Sequence, residues 1–85
     1  MIAKVHGSEA ELVYRVTGGQ LAIVHTGVPE EIAGGGIGGK LVSAALEKAV
    51  REGLVVAPQC PFATAWLSRR PDDAAKVTID WSQSR

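Results

Sequence analysis

The chain has 85 residues, 46% of them hydrophobic, and its nine basic and nine acidic side chains cancel to a formal charge of zero. That length is short even for one domain, where about 100–150 residues is common, so a single unit over residues 1–85 is expected, without room for large catalytic inserts. Charge balance weighs against nucleic acid as a partner, because affinity for phosphate backbones grows with the number of Lys and Arg contacts.

Cys60 is the only cysteine, which rules out an internal disulfide. One Cys and two widely spaced His residues form no zinc-type ligand cluster, so no metal is expected. The N-terminal residues lack the apolar run of a signal peptide, and no stretch reaches the roughly 18 apolar residues of a membrane span. The expectation is a cytoplasmic protein with no membrane partner, either a monomer or a weak homodimer.

In chain order, residues 1–5 are apolar enough for a short first strand. From Glu11 the pattern alternates, with Leu12, Tyr14 and Val16 on one face and Glu11, Val13 and Arg15 on the other, as in a half-buried strand. Gly18-Gly19 supplies a hairpin turn tolerant of positive φ. Residues 20–28 form the returning strand, in which simple alternation puts His25 on the face of Leu21 and Ile23. Pro29 breaks it, and five glycines then fall among the six residues 34–39.

A helix follows. Ile37, Leu41, Val42, Ala45, Leu46, Ala49 and Val50 form its apolar stripe, and Gly53 stands where a left-handed C′ residue belongs. Residues 54–57 are a short apolar run of the kind buried on both faces, and a strand–helix–strand order places them parallel to residues 20–28. A second helix covers 60–70, with Pro61 at its first position and Ala63, Trp66 and Leu67 as its stripe; Pro71 stops it. Residues 76–81 alternate as a last strand. The sum is an α+β fold: a mixed, mostly antiparallel sheet with one strand–helix–strand crossover and two helices.

Five glycines at a helix start are costly in chain entropy. The usual return is backbone N–H groups that a ligand can approach closely, at a helix end that favours phosphate. Gly34, Gly36 and Gly39 satisfy G-x-G-x-x-G, but residues 29–33 separate them from the strand and Gln59 is neutral where an acidic residue is required. Gly34, Gly39 and Lys40 approach a P-loop, yet Leu41 replaces its Ser or Thr.

The run resembles the coenzyme A motif of the GNAT N-acetyltransferases, with Gly36 and Gly38 at its two glycine positions. The segments His25-Thr26-Gly27-Val28-Pro29, Lys40-Leu41, Pro58-Gln59-Cys60-Pro61-Phe62 and Pro71, together with Tyr14, resemble the minimal, single-domain YjdJ type of that superfamily. The resemblance covers about residues 10–71. It implies a GNAT-like fold and transfer of acetyl from acetyl-CoA to a primary amine acceptor. The backbone of Gly34, Gly35, Gly36, Ile37, Gly38 and Gly39 would bind the cofactor, with Lys40 behind it and Val28 at the strand end. It also implies that the two parallel strands splay to admit the pantetheine arm. Arg69 and Arg70 are candidates to neutralise a 3′-phosphate.

Two departures stand out: Ala33 replaces the leading Arg or Gln of the motif, and Trp66 stands where Tyr is usual. They keep open the alternative of a non-catalytic acyl-CoA-binding or sensor module. The catalytic candidates are Cys60 and His25. Cys60 lies at a helix start that favours thiolate, as acyl acceptor or pocket wall. His25 is a general-base candidate, because imidazole ordinarily titrates near neutrality.

Overall fold

The structure is a computed structural model that describes residues 1–5, 7–32 and 36–83. The described elements run β1 (Ile2–Val5), β2 (Ser8–Thr17), β3 (Gln20–Gly27), α1 (Ile37–Glu52), β4 (Val55–Pro58), α2 (Pro61–Arg69) and α3 (Pro71–Ala74). Short 3-10 turns lie at Glu30–Ile32 and Trp81–Gln83.

The strands form one sheet in the order β1-β2-β3-β4, antiparallel up to β3 and parallel between β3 and β4. The hairpin turn is Gly18-Gly19, both at positive φ (57° and 76°), which suits the right-handed twist of the strands it joins. The crossover from β3 through α1 to β4 has the expected form. Gly53 ends α1 at φ 65°, and the Leu54 N–H donates back to the Ala49 carbonyl at 2.8 Å.

One sheet face carries Ala10, Leu12, Leu21, Ile23 and Val56 into a cluster with Leu41, Val42, Ala45 and Leu46 of α1 and Ala63 and Leu67 of α2. The domain is thus two layers around one core. Val50, expected in the apolar stripe, is 54% exposed. One residue past Ala49 on a helix turns about 100°, which carries Val50 off the buried side.

Four further expectations are corrected. First, β3 contains a bulge: Val13 pairs with His25 but Tyr14 pairs with Ile23, leaving Val24 without an opposite residue. The extra residue reverses the alternation. His25 therefore shares the face of Val13, away from Leu21 and Ile23, while Thr26 joins the helix side opposite Leu12. Second, β4 runs one residue further than expected and includes Pro58, opposite Ile23.

Third, Pro71 ends α2 but also opens the single turn α3, so a third helix is present. Fourth, residues 76–81 make only an isolated bridge, Val56 to Ile79, held by Val56 N–H to the Thr78 carbonyl (2.9 Å) and Asp80 N–H to the Val56 carbonyl (2.8 Å).

The bridge is anchored by Asp80. Its carboxylate accepts from Gln20 Nε2 (3.1 Å) and from the Ser82 hydroxyl and backbone N–H. The Ser82 hydroxyl bond is the main cause holding this carboxyl below its ordinary value. A carboxyl depressed in the folded state stabilises above its unfolded pKa and loses that contribution as pH falls through the folded one. Following the Asp80 carboxyl by NMR should place its midpoint below 3.8, and Ser82→Ala should raise it.

Candidate functional site

A cleft of about 630 Å³ opens between the first turn of α1 and the side of α2. Its α1 wall is Gly36, Ile37, Gly38, Gly39 and Lys40, and Val28, just past the end of β3, closes one side. The geometry of that wall follows from the chain. Gly36 adopts a left-handed conformation (φ 78°, ψ 12°), which turns the backbone into the helix with no side-chain cap. The first helical bond shown is Lys40 N–H to the Gly36 carbonyl at 3.0 Å. The N–H groups of Ile37, Gly38 and Gly39 precede it and have no carbonyl within the helix to accept them. No acidic side chain lies in this first turn. The helix start therefore presents donors and a partial positive charge to the cleft.

The opposite wall is aromatic and basic. Phe62 and Trp66, one turn apart on α2, lie against the glycines of α1. A Cβ on Gly38 would stand 2.5 Å from Phe62 Cζ, and one on Gly39 would stand 2.5 Å from Trp66 Nε1. These two glycines therefore let the helices pack closely, a reason for them besides ligand approach. The Arg70 guanidinium lies over the Trp66 ring, 5.3 Å from its centroid, and Arg69 lines the same rim. With Lys40 they outnumber Asp73, the acidic residue on the lining.

Near the site the parallel ladder ends. Pairing stops at Ile23 opposite Pro58, with a last bond from Gln59 N–H to the Ile23 carbonyl at 2.9 Å. Strand β3 runs on to Gly27 while the other chain segment turns into α2. Cys60 marks that turn. It is 5% exposed and serves as the N-cap of α2, its Sγ accepting from Ala63 N–H at 3.3 Å and lying 3.5 Å from Thr26 Oγ1.

Six of the residues expected to bind cofactor thus share one cleft: Val28, Gly36, Ile37, Gly38, Gly39 and Lys40. Gly34 and Gly35 lie outside the described residues, as does Ala33. The two catalytic candidates are not together. Cys60 is buried behind the cleft wall, and His25 is exposed on the sheet face opposite the helices. The wall formed by Phe62 is the residue role that sequence reading missed. Its signal was available as two adjacent glycines in one helix and aromatics four apart in the next.

Among the described residues no group of three or more His, Cys, Asp or Glu side chains is placed to hold a metal. No described helix is long and apolar enough to cross a membrane.

A mixed sheet whose crossover helix begins, uncapped, at a basic cleft near the end of the parallel ladder defines a domain of the α+β class with one cleft suited to an anion. Residues 2–77 match the family model of the GCN5-related N-acetyl-transferases, and the chain belongs to that family. It is a GNAT-type acetyltransferase. Comparison with curated proteins gives no match.

Proposed function

We propose that the protein transfers the acetyl group of acetyl-CoA to a primary amine. The observation that carries this reading is the uncapped start of α1 opening on the cleft, with Lys40 behind it and two arginines on the facing rim. Backbone N–H groups at a helix start suit diphosphate oxygens. The described residues fit the cofactor in kind as well as in charge: Gly36 carries no side chain over the donors, and the Trp66 ring offers a flat apolar wall. Ala33 removes one side-chain contact of the usual motif, leaving the main chain and Lys40 to hold the diphosphate.

When bound, acetyl-CoA supplies a thioester whose C–S bond is exchanged for a C–N bond to the acceptor. The chain's own part is to position and to move a proton. Beyond Ile23 the β4-side edge of β3 has no strand partner among the described residues, so its main-chain N–H groups up to Val28 suit the carbonyl oxygen as negative charge develops. His25, exposed at the bulge, takes the proton released by the attacking amine. Trp66 has no acidic proton to give, so the departing thiolate is protonated by solvent. Cys60 is assigned to the end of the parallel ladder as packing residue and helix cap, since burial and two polar contacts hold its thiol.

Isothermal titration with acetyl-CoA should show one site, and loss of all heat at sub-millimolar cofactor would remove the reading. In a thiol-release assay with excess amine, His25→Ala should lower kcat by about 10²-fold or more without changing acetyl-CoA affinity. Cys60→Ser should retain both turnover and the cap, whereas Cys60→Ala should cost about 1 kcal/mol of stability. A stable acetyl adduct on Cys60 in intact mass spectra would reassign the thiol as acyl acceptor.

A further inference from the structure

The sheet face opposite the helices carries a second cleft, of about 460 Å³, lined by Ile2, Glu9, Glu11, Gly27, Val28 and Pro29. Val28 is the single residue it shares with the cofactor cleft. The two openings therefore meet at the end of β3, from opposite sides of the sheet. An acyl transfer between two substrates requires such a meeting point.

Gly27 brings His25 and Glu11 together at the second cleft. Its φ is not positive, so the backbone there places no demand for glycine. What its missing side chain leaves is room for the imidazole to lie against the backbone. A Cβ at that position would stand 3.1 Å from His25 Nε2 and 3.6 Å and 3.8 Å from Glu11 Cγ and Oε1. The imidazole and the carboxylate thus converge on the bare backbone of Gly27, beside Val28.

The acidic groups along this cleft are not equivalent. Glu9 pairs with Lys4 at 3.5 Å. Glu11 forms no ion pair among the described residues. The remaining walls, Ile2 (64% exposed), Val28 and Pro29, are apolar. An unpaired carboxylate beside apolar walls, next to an imidazole, suits an aliphatic chain with a cation at one end.

We infer that this cleft is the acceptor site, and that it takes an aliphatic amine bearing a second positive charge, which Glu11 holds. The held ammonium orients the acceptor, while its other nitrogen, neutral and nucleophilic, lies beside Val28 within reach of His25. The volume is at the small end of the range for ligand pockets, about 300–1,000 Å³, which favours a short diamine or a lysine-like side chain over a bulky metabolite. Glu11 is then a specificity-determining residue. The inference rests on the acetyl-transfer reading above, but its test does not depend on turnover.

Amide chemical shifts of the labelled full chain are followed in separate titrations with butane-1,4-diamine, butan-1-amine and acetyl-CoA. The diamine should shift Glu11, Gly27 and Val28, and the monoamine should bind at least tenfold more weakly. Glu11→Gln should weaken the diamine at least tenfold. So should Gly27→Val, which keeps every charge but pushes the imidazole and the carboxylate apart. Acetyl-CoA should move Gly36 to Lys40 equally in all three proteins.

Diamine shifts centred elsewhere, an equal response to the monoamine, or wild-type binding by either variant would overturn the inference. If only the acetyl-CoA arm fails, the cofactor reading falls while the cation cleft stands. Dispersed spectra identify folded variants in either case.

Discussion

Gly36→Asp is expected to weaken acetyl-CoA binding by about 30-fold or more while leaving the fold almost as stable as before. The two effects separate because the position is special in one respect only. A Cβ on Gly36 meets nothing within 4 Å, so the new side chain displaces no neighbour. The cost is the left-handed backbone at φ 78°, about 1–2 kcal/mol for an ordinary residue and less for Asp, which tolerates that region. A carboxylate at the start of α1 returns about 0.3–1 kcal/mol through the helix dipole. The melting temperature should therefore move by only a few degrees.

Binding has no such offset. The carboxylate competes for the N–H groups of Ile37, Gly38 and Gly39 and repels two diphosphate charges. At about 4 Å each pair is worth about 1 kcal/mol in bulk water and about 4 kcal/mol at an effective dielectric near 20. The lower figure alone sums to about 2 kcal/mol, or roughly 30-fold in affinity. Gly36→Asn has nearly the same shape without the charge and should lose far less. Titration calorimetry on both variants decides the matter. Equal losses would mean that the side chain blocks space, and no loss in either would place the diphosphate elsewhere.

The elements that sequence could reveal are those whose signal is local. Helix α1 was legible from end to end because its apolar spacing and the glycine at its C-terminus are properties of consecutive residues. The hairpin at Gly18-Gly19 was legible for the same reason, and so was the parallel crossover, since strand, helix and strand follow in order. The glycine run was legible as a helix start. Its division of labour was not, because Gly38 and Gly39 are explained by rings on a different helix, some 24–27 residues away in the chain.

The bulge at Val24 shows the limit more sharply. Residues 21–24 are apolar without a break, and nothing in the chemistry of Ile23, Val24 or His25 announces an extra residue; only the pairing with β2 reveals it. The consequence is functional, since that single slip moves His25 from the core face to the open face beside Glu11 and Gly27. The last strand failed for a different reason. Residues 76–81 alternate, yet one bridge to Val56 and the Asp80 hydrogen bonds satisfy the edge of β4, and no longer ladder forms.

Leu21→Ala should remove about 2–5 kcal/mol of stability, as full burial of a leucine predicts. Leu21 is 0% exposed and sits in the middle of the sheet, opposite Val16 on β2 and Val56 on β4. An 85-residue domain holds about 4–13 kcal/mol in total at the usual 0.05–0.15 kcal/mol per residue, so the loss is a large share. The melting temperature should fall by about 8 °C or more. Val16→Ala is the matched control: same cross-strand pair, same side of the sheet, but 44% exposed, and expected within about 0.5 kcal/mol of wild type. The row containing Leu21 leads directly to Ile23 and Pro58, where the parallel ladder ends. Saturating acetyl-CoA should stabilise wild type and variant alike, by about 2.7 kcal/mol at a hundredfold excess over Kd, as any ligand that binds only the folded chain does. A Leu21→Ala protein that melts lower and gains nothing from acetyl-CoA, while wild type gains, would show that the core holds the site as well as the sheet.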